Sequence, residues 1–255
     1  MASPPPEHWH PAAAYLYALH LDGPALAWEY LRRSPDYRAD WQRHLQAPAH
    51  HLAPRWGLRL LEDPARDARE AMPDWQSLAP TQLHPDADPR PGTIVFDLWA
   101  LPGQRRLRLD GERLRLAVTA PGYELRLTLA PALQHGMPWT HAGSTPEGLR
   151  EPYAAGRALD RPNAAALLEM HTLQALDGHL AGASLQELAR VMFQARDQSE
   201  TWHPDTGLRS KVRRLVRRGK ALMDGGYLAL LQNAPLEQGR SRRASNGPAQ
   251  GNGHS

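Results

Sequence analysis

Cysteine is absent from the 255 residues. That excludes disulfides, a thiol nucleophile and cysteine-ligated zinc or iron–sulfur centres, and it fits a reducing compartment. Lysine is almost missing too, with two against 28 arginines, an excess that reads as base composition more than selection. No apolar run approaches the roughly 18 residues of a membrane-spanning helix. The opening MASPPPEHWHP has no basic stretch followed by an apolar one, as a secretory leader would. The expectation is a soluble cytoplasmic, nucleoid-associated protein with no membrane partner. No G-x-G-x-x-G or Walker pattern occurs, and Ser144, Ser184 and Ser199 lack a nucleophile-elbow context. Thirteen histidines include the pairs His8/His10 and His50/His51, but neither pair has a further ligand at metal-site spacing. Glu62 and Asp63, near Trp56, read as capping residues and not as an acid/base pair. Neither an enzyme nor a cofactor or metal is expected.

What the chain does have is a concentrated positive segment. Residues 208–255 hold ten basic and two acidic side chains, whereas the preceding 207 carry a net charge of −5. Such asymmetry suggests a nucleic-acid face or a basic tail. Seven of the basic residues fall in LRSKVRRLVRRGK, residues 208–220, with no acid among them. At roughly 100° per residue, Leu208, Val212, Leu215, Val216, Gly219, Leu222 and Met223 share an arc about 120° wide. Arg209, Ser210, Lys211, Arg213, Arg214, Arg217, Arg218 and Lys220 lie on the rest of the circumference. Guanidinium pairs bidentately with phosphate and with the major-groove edge of guanine. A DNA-contacting helix over 207–224 is therefore the leading reading, ahead of a protein-docking helix or a solvated face. Arg209, Ser210, Arg213 and Arg217 are the candidates for bases, and Lys211, Arg214, Arg218 and Lys220 for backbone.

The rest divides by periodicity and punctuation. Residues 1–11 read as a disordered lead-in and 12–76 as an aromatic-rich helical module. That module is broken at Asp22-Gly23-Pro24 and Ser34-Pro35, with Asp22 and Ser34 as N-caps and proline just inside. Trp28, Tyr30, Tyr37 and Trp41 are its candidate core, with a partner-binding or dimerisation surface as the alternative. Residues 77–92 hold four prolines and read as a linker. An antiparallel sheet is expected over 93–132: a strand at 93–98, then 105–109 and 112–118 about an Asp110-Gly111 turn, then 123–129. One face is apolar, with Leu125, Leu127 and Leu129. The other is rich in arginine and reads as solvated, with a secondary nucleic-acid surface as the alternative. A connection over 133–162 leads to a helical unit over 163–231. Its first helix should end at Asp177-Gly178, and the second, 185–193, opens with a capping box formed by Ser184 and Glu187. Trp202 is a candidate anchor for the long stretch between this helix and the basic one, and residues 232–255 read as a disordered tail.

The short helix opened by Gly182, Ser184, Glu187, Leu188 and Ala189, followed by the basic helix, has the order of a helix-turn-helix. The thirteen or so intervening residues far exceed the usual turn of 3–4. From Leu173 to Leu231, LQALDGHLAGASLQELARVMF, then W, then LRSKVRRLVRRGKALMDGGYLALL, the chain resembles a proteobacterial domain of unknown function. That domain occurs in regulators of integrative and conjugative elements, among them a quorum-sensing anti-activator and part of an excision activator. FDLWALPGQRRLRLDGERLRLAVTAPGYELRL is similar to its N-terminal half. YLYALHLDGPALAWEYLRRSPDYRADW with WGLRLLEDPARDAR is similar to a transcriptional-regulator module often fused ahead of it. The resemblance implies a DNA-binding regulator of a mobile element, or an anti-activator that binds another regulator protein, and it offers no catalytic residue. The fold expected is α+β, with double-stranded DNA as principal partner and another regulator or a second copy of the chain as further ones.

Overall fold

The computed structural model describes residues 9–78, 81–101, 103–110, 113–120, 123–142, 164–193 and 207–232. The lead-in up to residue 8, the connection from residue 143 to 163, the Trp202 stretch and the tail from residue 233 lie outside the described residues. The architecture is α+β, with helical parts at both ends of the chain and a five-stranded sheet between them.

A 3₁₀ helix, Ala12–His20, precedes α1 (Gly23–Leu31) and α2 (Pro35–Gln46). The two α-helices begin where the sequence places them. Asp22 Oδ1 accepts from the Ala25 amide at 2.8 Å, and Ser34 Oγ accepts from the Tyr37 amide at 3.4 Å. Each cap satisfies a donor that has no partner within its helix. Trp28, Tyr30 and Tyr37 are fully buried. Tyr37 meets Trp28 and Trp56 edge-to-face at 5.6 and 5.5 Å, the geometry that aromatic quadrupoles favour. Their polar ends are satisfied as well: Trp28 Nε1 donates to Arg66 O, Tyr37 Oη to Glu62 O, and Trp56 Nε1 to Asp40 Oδ2.

This aromatic core does not close on itself. Met170, Leu173 and Leu176 of α3 (Ala164–Leu180), Met223 at the end of α5 (Gly207–Met223), and Tyr227, Leu230 and Leu231 of a last 3₁₀ helix belong to the same cluster. In return Trp9 packs into the cluster formed by α4 (Leu185–Phe193) and α5, and Gln174 Nε2 donates to the Trp9 and His10 carbonyls. The lead-in reading therefore fails at Trp9, which is buried by a partner some 160 residues away in sequence. The α3 helix is buried almost all round, which is why it runs through Asp177-Gly178 where the sequence suggests a stop. Gly178 marks a close approach, not a terminus: a Cβ there would lie 2.5 Å from Leu188 Cδ2 and 2.9 Å from the Trp9 ring. The capping box at α4 forms as read, with Glu187 accepting from the Ser184 amide and Ser184 Oγ from the Glu187 amide.

The sheet has the order β2-β3-β4-β1-β5. Strands β2 (Gln104–Asp110), β3 (Arg113–Ala120) and β4 (Tyr123–Leu129) form the expected meander. Its first closing pair is Asp110↔Arg113, so the pairing includes Asp110, which the Asp-Gly signal placed in the turn. Two further strands come from segments expected to be linker and connection. β1 (Thr81–Pro85) runs parallel to β4, and β5 (Trp139–Ala142) pairs antiparallel with β1. The strand expected at 93–98 reduces to a single bridge, Val95↔Pro138. Asp97 turns the chain there by accepting from the Trp99 and Ala100 amides, an Asx-turn that competes with strand geometry. Phe96 and Leu101 cover the apolar sheet face with Leu116, Val118, Leu125, Leu127 and Leu129.

Three arginines of the opposite face are held by carboxylates and not left to solvent. Arg108 pairs with Glu62, Arg115 with Asp74, and Arg126 with Asp22 at 3.5 Å. All three acids belong to the N-terminal part, so this face docks the sheet onto the aromatic module.

Candidate nucleic-acid interface

The basic helix is set by what lies beneath it. Val212, Leu215, Val216, Gly219 and Met223 of α5 are buried, and Leu208 and Leu222 are half-buried, the arc expected from the spacing. Gly219 lets α3 and α5 cross closely. A Cβ at this position would lie 3.0 Å from Leu176 Cβ and 3.4 Å from the Thr172 carbonyl oxygen. On the α4 side, Leu188 and Ala189 are fully buried in the cluster that holds Val212 and Leu215. The small Ala189 side chain permits that approach, as the sequence suggests.

Around the remaining circumference the predicted residues separate into two sets. Arg213, Arg214, Arg217 and Lys220 are exposed, and among the described residues no carboxylate pairs with them. Ser210 is half-buried beside them. The other basic side chains flank the apolar arc. Arg218 pairs with Glu169 of α3. Lys211 lays its ammonium over the Phe193 ring, 4.2 Å from the centroid, a cation–π contact that ties α5 to the end of α4. Arg209 is half-buried, and its Nε has no acceptor among the described residues. His171 sits near Lys211, and its pKa is lowered first by burial and then by the lysine charge. The outward set therefore occupies the middle of the polar face, while the flanking set fixes the helix to its supports.

The supports are themselves charged, and their role is not evident from periodicity alone. Glu169 is buried, accepts from Tyr30 Oη at 2.5 Å, and takes Arg218 as its counter-ion. Just over two turns further along, Asp177 accepts from Tyr15 Oη and from Arg33 Nε and Nη2 at 2.6–2.9 Å. Arg33, just past the end of α1, is also bound to Glu29 of that helix. Burial alone would raise the Glu29 pKa, but Arg33 and Arg32 outweigh it and hold the carboxyl down at about 2. The signal for these residues is weak but present. At roughly 100° per residue, Glu169 and Asp177 fall inside the arc of Met170, Leu173 and Leu176, where an unpaired acid would be costly. Among the described residues no group of three His, Asp or Glu side chains is placed to hold a metal ion. No helix there is long and apolar enough to cross a membrane.

Three family models match consecutive stretches of the chain. Residues 8–60 match a proteobacterial transcriptional regulator-like domain, and residues 79–125 match a domain of unknown function, DUF7011. Residues 141–232, which contain α3, α4 and α5, match a model described as a T6SS transcription factor DNA-binding domain. No curated protein matches the chain. The chain is thus similar to a transcriptional regulator-like domain over its N-terminal part and to a DNA-binding domain over its C-terminal part.

Proposed function

We propose that this protein is a transcriptional regulator that reads double-stranded DNA by laying α5 in the major groove, with α4 as the supporting helix of a helix-turn-helix-like pair. The observation that carries the reading is the outward set Arg213, Arg214, Arg217 and Lys220. It is exposed and free of acidic partners among the described residues, on a helix whose opposite face is locked in a core. Arg213 and Arg217, with Ser210 and Arg209, face base edges, and Arg214 and Lys220 hold phosphates, with a lesser share for Lys211, whose ammonium lies over Phe193. Arg218 is bound to Glu169, so its part is to orient the helix more than to touch the backbone. The setting is the cytoplasm, on the nucleoid, where the protein controls genes of a mobile genetic element. That setting is supported by the resemblance of residues 173–231 to regulators of integrative and conjugative elements.

The test is binding by the full chain over a salt series, together with sequencing of DNA crosslinked to it in cells. Neutralising about four phosphates lowers affinity roughly a hundredfold between about 50 and 200 mM salt. A flat salt response sinks the DNA reading. Discrete genomic peaks near an integrase or conjugation cluster support the operator role. A stable complex with another regulator, without peaks, transfers the function to an anti-activator.

A further inference from the structure

Glu169 is a carboxylate on an apolar face. It shares the arc of Met170, Leu173 and Leu176 on α3 and is 3% exposed. A buried ion pair adds little net stability over well-packed apolar side chains of the same volume. Cohesion alone therefore does not account for an acid at this position. Its two partners come from opposite sides: Tyr30 of the N-terminal module donates its hydroxyl at 2.5 Å, and Arg218 of α5 supplies the positive charge. Burial first, and then the Glu169 charge, push the Tyr30 pKa well above its ordinary value of 10, so that hydroxyl remains a donor. Arg218 is held through Nη2, while its buried Nε has no acceptor among the described residues. Its side chain is still 39% exposed. At roughly 100° per residue, Lys211, Arg214 and Arg218 fall within about 60° of one another. Arg218 thus continues a stripe of the polar arc in which Arg214 is exposed.

We propose that Glu169 is an internal stand-in for phosphate: it takes the Arg218 guanidinium that the DNA backbone would otherwise take. The inference rests on the DNA reading and adds a restraint on that same surface. Carboxylate and phosphate oxygens are alternative acceptors for one guanidinium. A phosphate contact strengthens binding to every sequence, whereas base contacts discriminate. Withholding Arg218 lowers the sequence-independent part of the affinity and leaves the base-facing residues untouched. Tyr30 makes the N-terminal module a party to the restraint, because its hydroxyl fixes the carboxylate.

The test is binding of the full chain to a mixed random-sequence duplex over a salt series, with the parent beside Glu169→Gln, Arg218→Gln and the double variant. Glutamine keeps the shape and still accepts from Tyr30, so only the hold on Arg218 is lost. Glu169→Gln should steepen the dependence of log affinity on log salt by about 0.9, one further phosphate. That is a roughly threefold larger loss of affinity between about 50 and 200 mM salt. Arg218→Gln alone should leave the parent slope unchanged, and the double variant should return to it. An unchanged or shallower slope in Glu169→Gln, or a gain that survives in the double variant, overturns the proposal. So does a slope reduced by about one contact in Arg218→Gln. If Glu169→Gln does not fold, the Arg218→Gln slope decides by itself. A flat slope in the parent sinks the DNA reading and this restraint together, whereas a normal parent slope with no change in Glu169→Gln sinks the restraint alone.

Discussion

Two parts of this molecule show an arginine-rich face backed by leucine, and they do opposite things. On the sheet, Arg108, Arg115 and Arg126 alternate with leucines and are met by Glu62, Asp74 and Asp22 of the N-terminal part. On α5, Arg213, Arg214 and Arg217 alternate with buried aliphatics at helical spacing and meet no carboxylate among the described residues. Arginine content alone does not distinguish the two. The difference lies in what the chain folds against each face. The N-terminal module supplies acids to the sheet, whereas α3 supplies its one nearby acid, Glu169, to the flank of α5 and not to its crest. The same residue type acts as internal cement in one place and, on the reading proposed here, as a polyanion contact in the other.

Exchanging charge on each face tests that distinction. Arg213→Glu with Arg217→Glu should lower DNA affinity by about a hundredfold or more at moderate salt, since each lost base or phosphate contact costs roughly 1–3 kcal/mol. The melting temperature should stay within a few degrees, because both side chains are exposed. A large loss of stability with unchanged affinity would place these arginines inside the structure. Acidification strikes the cement instead. The folded pKa of Glu29, about 2, lies below the ordinary 4.5. Its stabilisation is therefore complete above about pH 4.5 and drains away as pH falls toward 2, by an amount on the order of 2 kcal/mol. Denaturant unfolding at pH 6, 4 and 3 measures this, and Glu29→Gln, already weaker at pH 6, should show a flatter profile. On the sheet, Arg115→Gln leaves Asp74 with Arg59 alone as counter-ion, for a loss of about 1 kcal/mol. Its DNA affinity, measured on folded protein, should match that of the parent. A drop comparable to that of the helix variant would bring the sheet face into the DNA interface.

How much of this was legible depended on whether a signal was local. The caps at Asp22, Ser34 and Ser184, the meander and the amphipathic α5 all follow from spacing within a dozen residues. Partners far apart in sequence were not legible. Nothing near residue 81 announces that TQLHP will sit inside a sheet, because parallel pairing to β4 is decided some 45 residues later. Trp9 read as tail because its cover, α4 and α5, lies beyond residue 184. Asp177-Gly178 read as a helix stop because Asp-Gly commonly is one. Here the carboxylate answers Arg33 and the missing Cβ makes room for Leu188 and Trp9. For the candidate site, the helix and its polar arc were readable, but not the division of that arc into crest and flank. That division depends on where Glu169 and Phe193 fall in three dimensions.

The smallest predicted effect probes that division inside α5 itself. Lys211 shares the polar arc with Arg213 but holds its ammonium over Phe193. If the flank mainly fastens the helix, Lys211→Gln should weaken DNA binding only a few-fold and change the salt slope by less than the roughly 0.9 of a full phosphate contact. Stability should fall by about 0.5–1 kcal/mol as the cation–π contact is lost. Arg214→Gln makes the opposite pair of changes, a slope reduced by about one contact and no measurable loss of stability. Side by side, the two variants separate fastening from reading along one helix. Identical slopes and identical melting temperatures for both would dissolve the crest–flank distinction and leave the basic arc as one undifferentiated charged surface.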